Sequence, residues 1–246
     1  AVTLIDVTSA TNARTVIAAC CPPYPHGHSA PVLRCRDPLL LCAVMNSICF
    51  DALMRFKVGG LHIVWSCLEE GALPLIPMNV ARILRRLTCE MALMPCCGAA
   101  LVIQERSGCD SVPRTWACSL HERLRRHVAL DAVWAALFEL DLEQLLHMLR
   151  DVHFPRASVL DRAWCKKLNP NGFWRVDKNK DPELRHTVLT LVAFHDLEAK
   201  IRACGGDREK GIEAFLAQND GEGWMLPETL RLADYGLGHD DRAKHP

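Results

Sequence analysis

No sign of charge prevails in this chain. Lys plus Arg number 29 and Asp plus Glu number 29, so the formal net charge is +0. A global field that draws the molecule to a polyanion is therefore excluded, and any contact with nucleic acid needs a local basic face. Long apolar runs are also missing. No stretch reaches the roughly 18–20 uncharged apolar residues of a spanning helix, so no membrane partner is expected. No basic leader precedes an apolar run, so no secretory signal is expected. An initiating Met is absent and Ala1 to Val7 already reads as a strand, which suggests a piece of a longer polypeptide. Internal repeats and low-complexity tracts are lacking too.

What is present suits a folded, buried core. Of 246 residues, 50% are hydrophobic, enough for one large domain or two small ones. The 13 cysteines are odd in number and scattered through apolar segments, which argues against a secreted disulfide framework. Cys42 and Cys49 read as small buried hydrophobes. A reducing compartment, the cytoplasm, is the expectation.

The pattern along the chain predicts an α+β fold. Val2 to Val7 alternates as a half-buried strand, Thr15 to Cys20 is a β-branched apolar run, and Pro31 to Arg36 resumes as a strand after Pro22, Pro23, Pro25 and Gly27. Asp37-Pro38 is a cap followed by proline at the first helical position, and the helix is expected to run to Val58 before Gly59 and Gly60 stop it. Leu61 to Leu68 reads as a strand. Helices are predicted over Asn79–Leu93, Ser119–Phe138, Asp141–Asp151, from Asp181-Pro182 to Cys204, and over Asp207–Gln218, with a short one at Pro227–Asp234. Ser111 to Cys118 fits a strand or a loop, and a polar stretch runs from Lys166 to Lys180. The expected organisation is a mixed-sheet module over 1–118, a helical brace over 119–165 and a helical tail over 166–246.

Four segments in order carry a resemblance. They are Thr11-Asn12-Ala13-Arg14-Thr15 with the apolar run to Ala19 and its prolines; Asn46-Ser47 through Asp51 and Arg55 to Lys57-Val58-Gly59-Gly60-Leu61-His62; Glu122-Arg123 through Leu130-Asp131-Ala132 to Leu137-Phe138-Glu139-Leu140; and Gly172-Phe173-Trp174-Arg175-Val176-Asp177 with Asp181-Pro182-Glu183-Leu184-Arg185. Together they resemble the C-terminal, target-recognition half of adenine-specific DNA methyltransferases of the type IIG restriction–modification family. The resemblance implies a role in sequence choice on double-stranded DNA, in restriction–modification or phage defence. It also implies that S-adenosylmethionine is held by a catalytic methyltransferase domain of the same polypeptide, and that this chain holds no cofactor.

The residues agree with that division of labour. No strand, glycine turn, helix and acidic residue follow in the order a dinucleotide-type cofactor site needs. Cys21-Pro22-Pro23-Tyr24 imitates the family's catalytic motif, whose first side chain accepts a hydrogen bond from the target amino group. Cysteine is a poor acceptor there, so the segment also reads as a proline turn with a packed tyrosine. The DNA-contact candidates are Asn12, Arg14, Thr15, Lys57, Gly59, Gly60 and His62: an arginine forks onto guanine or phosphate, and a glycine turn brings backbone N–H groups close to a phosphate. Against this stands a purely structural role, with Arg14 paired to a carboxylate, the glycines as caps and His62 as a packed histidine.

Arg82, Arg85 and Arg86, and Arg123, Arg125, Arg126 and His127, are basic clusters that could track phosphates or form solvated helix faces. Phe173 and Trp174 could stack on a base or anchor a loop. Cys20, Cys21, His26 and His28 form a compact soft-ligand cluster, as Cys96-Cys97 does less well, and the first suggests an alternative, a metal-dependent enzyme. Adjacent cysteines on a strand point to opposite faces, which opposes a shared ion. A second alternative is a helical protein-interaction module of a defence complex.

Overall fold

The computed structural model describes residues 1–21, 26–92, 117, 119–150, 173, 180 and 185–225. Pro22–Pro25, Cys96-Cys97, Ser111–Trp116, Trp174, the polar stretch apart from Phe173 and Lys180, Asp181-Pro182 and Pro227–Asp234 lie outside the described residues. The fold is α+β: a small sheet near the N-terminus, then eight α-helices among the described residues. The chain divides into two compact units, Ala1–Leu130 and Asp131–Pro246.

In the first unit, β1 (Val2–Leu4) lies between β2 (Ala18–Cys20) and β3 (Val32–Leu33). Both pairings are antiparallel, with Val2 opposite Cys20 and Leu33, so the expected mixed sheet is corrected to an antiparallel one among the described residues. The short edges have a physical cause. Thr15 and Val16, expected to open the second strand, give their N–H groups to the Asp51 carboxylate instead of a neighbouring strand.

The next expected element is divided. Helix α1 (Pro38–Met45) begins as its sequence dictates, with Asp37 accepting from Leu40 N at 3.1 Å and proline in the first turn. It stops at Asn46, and Ser47 caps a new helix, α2 (Ile48–Lys57), by accepting from Phe50 N at 3.2 Å. The two helices are bent by 68° at this break. The single helix expected to Val58 is thus two, because Asn46 turns its amide to Ala18 and Ser47 restarts the turn. The glycine stop also differs. Val58 is already extended, and neither Gly59 nor Gly60 adopts a left-handed conformation. The strand expected over Leu61–Leu68 is reduced to one bridge, His62 with Val7, after which α3 (Trp65–Glu69) turns helical as Cys67 and Leu68 donate to Val64 O.

Helix α4 (Met78–Ala92) packs on α1, and Leu39, Met45, Ile48, Met54 and Leu84 are almost wholly buried. Helix α5 (Leu120–Leu137) crosses the division between the units. Its arginines bear on the expected basic clusters. Arg125 and Arg126 are buried, Arg126 pairs with buried Glu90 and Arg125 with Glu122 at 2.8 Å, and Arg123 donates to Met91 O. Burial raises the Glu90 carboxyl above its usual range, against the pull of Arg126 and Arg86. Arg85 is held by Asp37 at 2.6 Å, whereas Arg82 is exposed. Arg125 and Arg126 are therefore not part of a solvated face, while Arg123 and His127 are half-buried.

The second unit is helical: α6 (Leu142–Arg150), α7 (His186–Ala203) and α8 (Arg208–Leu216), with a short 3-10 turn at Asn219–Gly221. Asp141 and Gln144 form a reciprocal capping box at 2.7 and 2.9 Å. Every residue of α7 from Thr187 to Phe194 is buried, and α6 and α8 pack against this helix. Gly205 and Gly206 end it with φ of 71° and 85°, Gly206 N reaching Ile201 O at 2.9 Å. The turn returns α8 against α7 so closely that a Cβ on Gly211 would lie 2.6 Å from Ile201 Cα. No single helix among the described residues is long and apolar enough to cross a membrane.

Gly211→Ala tests this packing. Alanine gains about 1 kcal/mol of helix propensity, but overpacking against backbone costs about 1–3 kcal/mol or more. Urea unfolding should show a net loss of about 1–2 kcal/mol; unchanged stability would mean the helices are spaced more widely.

Candidate functional site

The residues expected at a DNA contact fall on two neighbouring features of the first unit. The first is a polar clasp around Asp51, which is wholly buried. One carboxylate oxygen accepts from Thr15 N at 2.9 Å and Val16 N at 2.7 Å. The other accepts from Arg55 Nε at 3.0 Å, and Arg55 reaches on to Asn12 O and Ala13 O at 3.1 and 2.8 Å. Arg14 lies 3.9 Å from Asp51 and donates to Asn46 O. Thr15 is buried, and its hydroxyl donates to Ser9 O. Asn12 is exposed at the loop tip, its amide 3.4 Å from the Thr8 hydroxyl. Asn12, Arg14 and Thr15 are thus brought together, with Arg14 and Thr15 engaged in holding the loop.

Lys57 closes α2 and pairs with Glu70 at 2.8 Å. That bond holds the Glu70 carboxyl below its usual range, on a surface where such pairs exchange readily with other ions. Gly59 and Gly60 are exposed, with open space where a Cβ would stand.

His62 belongs to the second feature, a cleft of about 780 Å³. Its floor is the continuation of β1. Asp6 N donates to Ser29 O and Asp6 O accepts from Ile63 N, both at 3.0 Å, so Asp6 is stitched to a chain segment on each side. One wall carries His26, Gly27, His28, Val32 and Arg34, and the other carries His62, Val64, Trp65 and Leu68. Asp6 is nearly buried, and its carboxylate lies 3.1 Å from His62 Nδ1. With Nδ1 committed to a carboxylate, Nε2 is the ring's remaining polar atom. His26, His28, Arg34 and Trp65 are exposed.

The volume suits a ligand or a substituent of a larger partner, since such sites span roughly 300–1,000 Å³. Its formally charged groups are one carboxylate, Asp6, and one guanidinium, Arg34, with the imidazoles of His26, His28 and His62 beside them. No Ser, Thr, Cys, Lys or Tyr is among the described residues lining it. Among the described residues no group of three or more His, Cys, Asp or Glu could hold a metal ion, and His26 and His28 line the cleft.

Arg34, Trp65 and Asp6 were not selected from sequence. Their alignment depends on pairing across tens of residues, and the strand expected at Leu61–Leu68 concealed the helical start at Trp65. The signal available was the pair of histidines flanking Gly27 together with Gly60-Leu61-His62, two short glycine–histidine segments that the fold places on opposite walls. Comparison with protein-family models, with curated proteins and with solved structures gives no match.

Asp51→Ala would strip the buried acceptor from two N–H groups and Arg55. The expected loss of stability is about 3–5 kcal/mol, the range for breaking a buried charge pair. Asp51→Asn should cost less, because one acceptor oxygen survives. Equal, small effects of both in denaturant titrations would remove Asp51 from this role.

Proposed function

We propose that this chain is the DNA-recognition and positioning portion of an adenine-specific DNA methyltransferase, and that the first unit meets double-stranded DNA at the His62 cleft. The observation that carries the proposal is the cleft's chemistry: Arg34 and three histidines beside an exposed tryptophan, in a molecule with no net charge. A neutral chain that binds a polyanion must do so through a local patch, and this cleft offers the Arg34 guanidinium together with imidazole hydrogen-bonding groups. The methyltransferase assignment is supported by the resemblance of the Thr11–Ala19 and Asn46–His62 segments, which build the clasp and one wall of the cleft.

On this reading Arg34 and Lys57 meet phosphates, Lys57 exchanging its exposed Glu70 partner for DNA. Gly59 and Gly60 let the duplex backbone approach, and His62, fixed by Asp6, offers its Nε2 to a base edge or a phosphate. Asn12 stands at the rim. Arg14 and Thr15 act indirectly by fixing the loop. Methyl transfer from S-adenosylmethionine belongs to a catalytic domain of the same polypeptide.

Fluorescence anisotropy with duplex DNA tests the proposal. Affinity should fall steeply with salt, and Arg34→Ala should flatten that dependence by about one charge. His62→Ala should weaken binding by about 1–3 kcal/mol if it reads a base. An Arg202→Ala control on α7 should bind as the parent does. Salt-independent binding, or cleft variants indistinguishable from the control, would refute the assignment.

A further inference from the structure

Two cysteines meet in the seam between β2 and α1. Cys20 ends β2, and its Sγ lies 3.4 Å from Pro38 O. Pro38 opens α1, and its carbonyl faces the next helical turn, where Cys42 stands four residues on. The Cys42 Sγ lies 3.7 Å from Ala18 O, and Ala18 shares one strand face with Cys20. Asn46 Nδ2 closes the group, 3.4 Å from Cys42 Sγ and 2.8 Å from Ala18 O. Both thiols thus border the same seam, Cys42 buried and Cys20 partly accessible. The Cys20 side chain pulls the Cys42 thiol down against its burial, with Asn46 assisting, and Cys42 and burial push the Cys20 thiol up.

We propose that Cys20 and Cys42 are a redox-responsive pair that closes to a disulfide when the chain meets a peroxide. The Cys42 sulfur attacks one peroxide oxygen, the O–O bond breaks, and the departing hydroxide leaves as water with the Cys42 proton. The Cys42 sulfenic acid is then attacked by the Cys20 sulfur. The S–O bond breaks, the S–S bond forms, and the hydroxyl departs with the Cys20 proton as a second water. Two thiols are oxidised and one peroxide is reduced to two waters. The bond would join the two ends of the segment that carries His26, Gly27, His28 and Arg34, restraining one wall of the cleft. The chemistry itself is independent of what the cleft binds.

The test uses the full reduced chain, treated with hydrogen peroxide, quenched with N-ethylmaleimide and mapped by mass spectrometry. A peptide joining Cys20 to Cys42 should appear, about 2 Da below the sum of its reduced halves. Its formation should precede loss of label at buried Cys49 and Cys89. Cys20→Ser should abolish the link and Cys21→Ser should preserve it. Cys20 and Cys42 both remaining labelled while exposed Cys35 oxidises would overturn the proposal, as would a link that depends on Cys21. The unsubstituted chain decides the question even if a variant fails to fold.

Discussion

A wholly buried carboxylate, Asp51, fixes how the first unit's loops meet its helices. An isolated charge in such a place is costly unless hydrogen bonds and an opposite charge compensate it. Asp51 obtains both: two backbone N–H groups from the Thr15-Val16 segment and the guanidinium of Arg55 on its own helix. The compensation works only in one geometry, so it specifies where the loop before β2 must lie. Asn46 repeats the device one helix earlier, bonding both the N–H and the C=O of Ala18.

From that clasp the order passes to the cleft. The loop delivers β2 to β1, and β1 continues to Asp6, whose backbone is bonded on both sides. His62 is therefore held twice, by the carboxylate of Asp6 and by the bridge to Val7. A side chain held at two points has less freedom left to lose than one ordered only on contact with a ligand. Burial also sorts the cations. Arg125 and Arg126 are buried against carboxylates, whereas Arg34 is exposed.

Local chemistry was legible in the sequence where it acts within one turn of chain. Asp37-Pro38 caps α1 as expected, Gly205-Gly206 terminates α7, and the helices at Leu120–Leu137, Leu142–Arg150 and Arg208–Leu216 fall within a few residues of their anticipated bounds. The break at Asn46-Ser47 was not legible, because an apolar helical pattern runs through it and the turn depends on Ala18, 28 residues away. Leu61–Leu68 misled for a similar reason: its apolar content suits a strand, but only one bridge is available to it.

The candidate site divides along the same line. The sequence alone determined an α+β chain of balanced charge and suggested that the glycine-histidine turn ending at His62 faces a ligand. Only the tertiary structure decided that Arg14 and Thr15 hold a loop, that the α5 arginines turn inward, and that Arg34, Trp65 and Asp6 join His62 around one cleft. Helix caps and glycine turns are set by neighbours a few bonds away, so residue order records them. Whether a charged side chain meets solvent or a buried carboxylate depends on which distant segment folds against it.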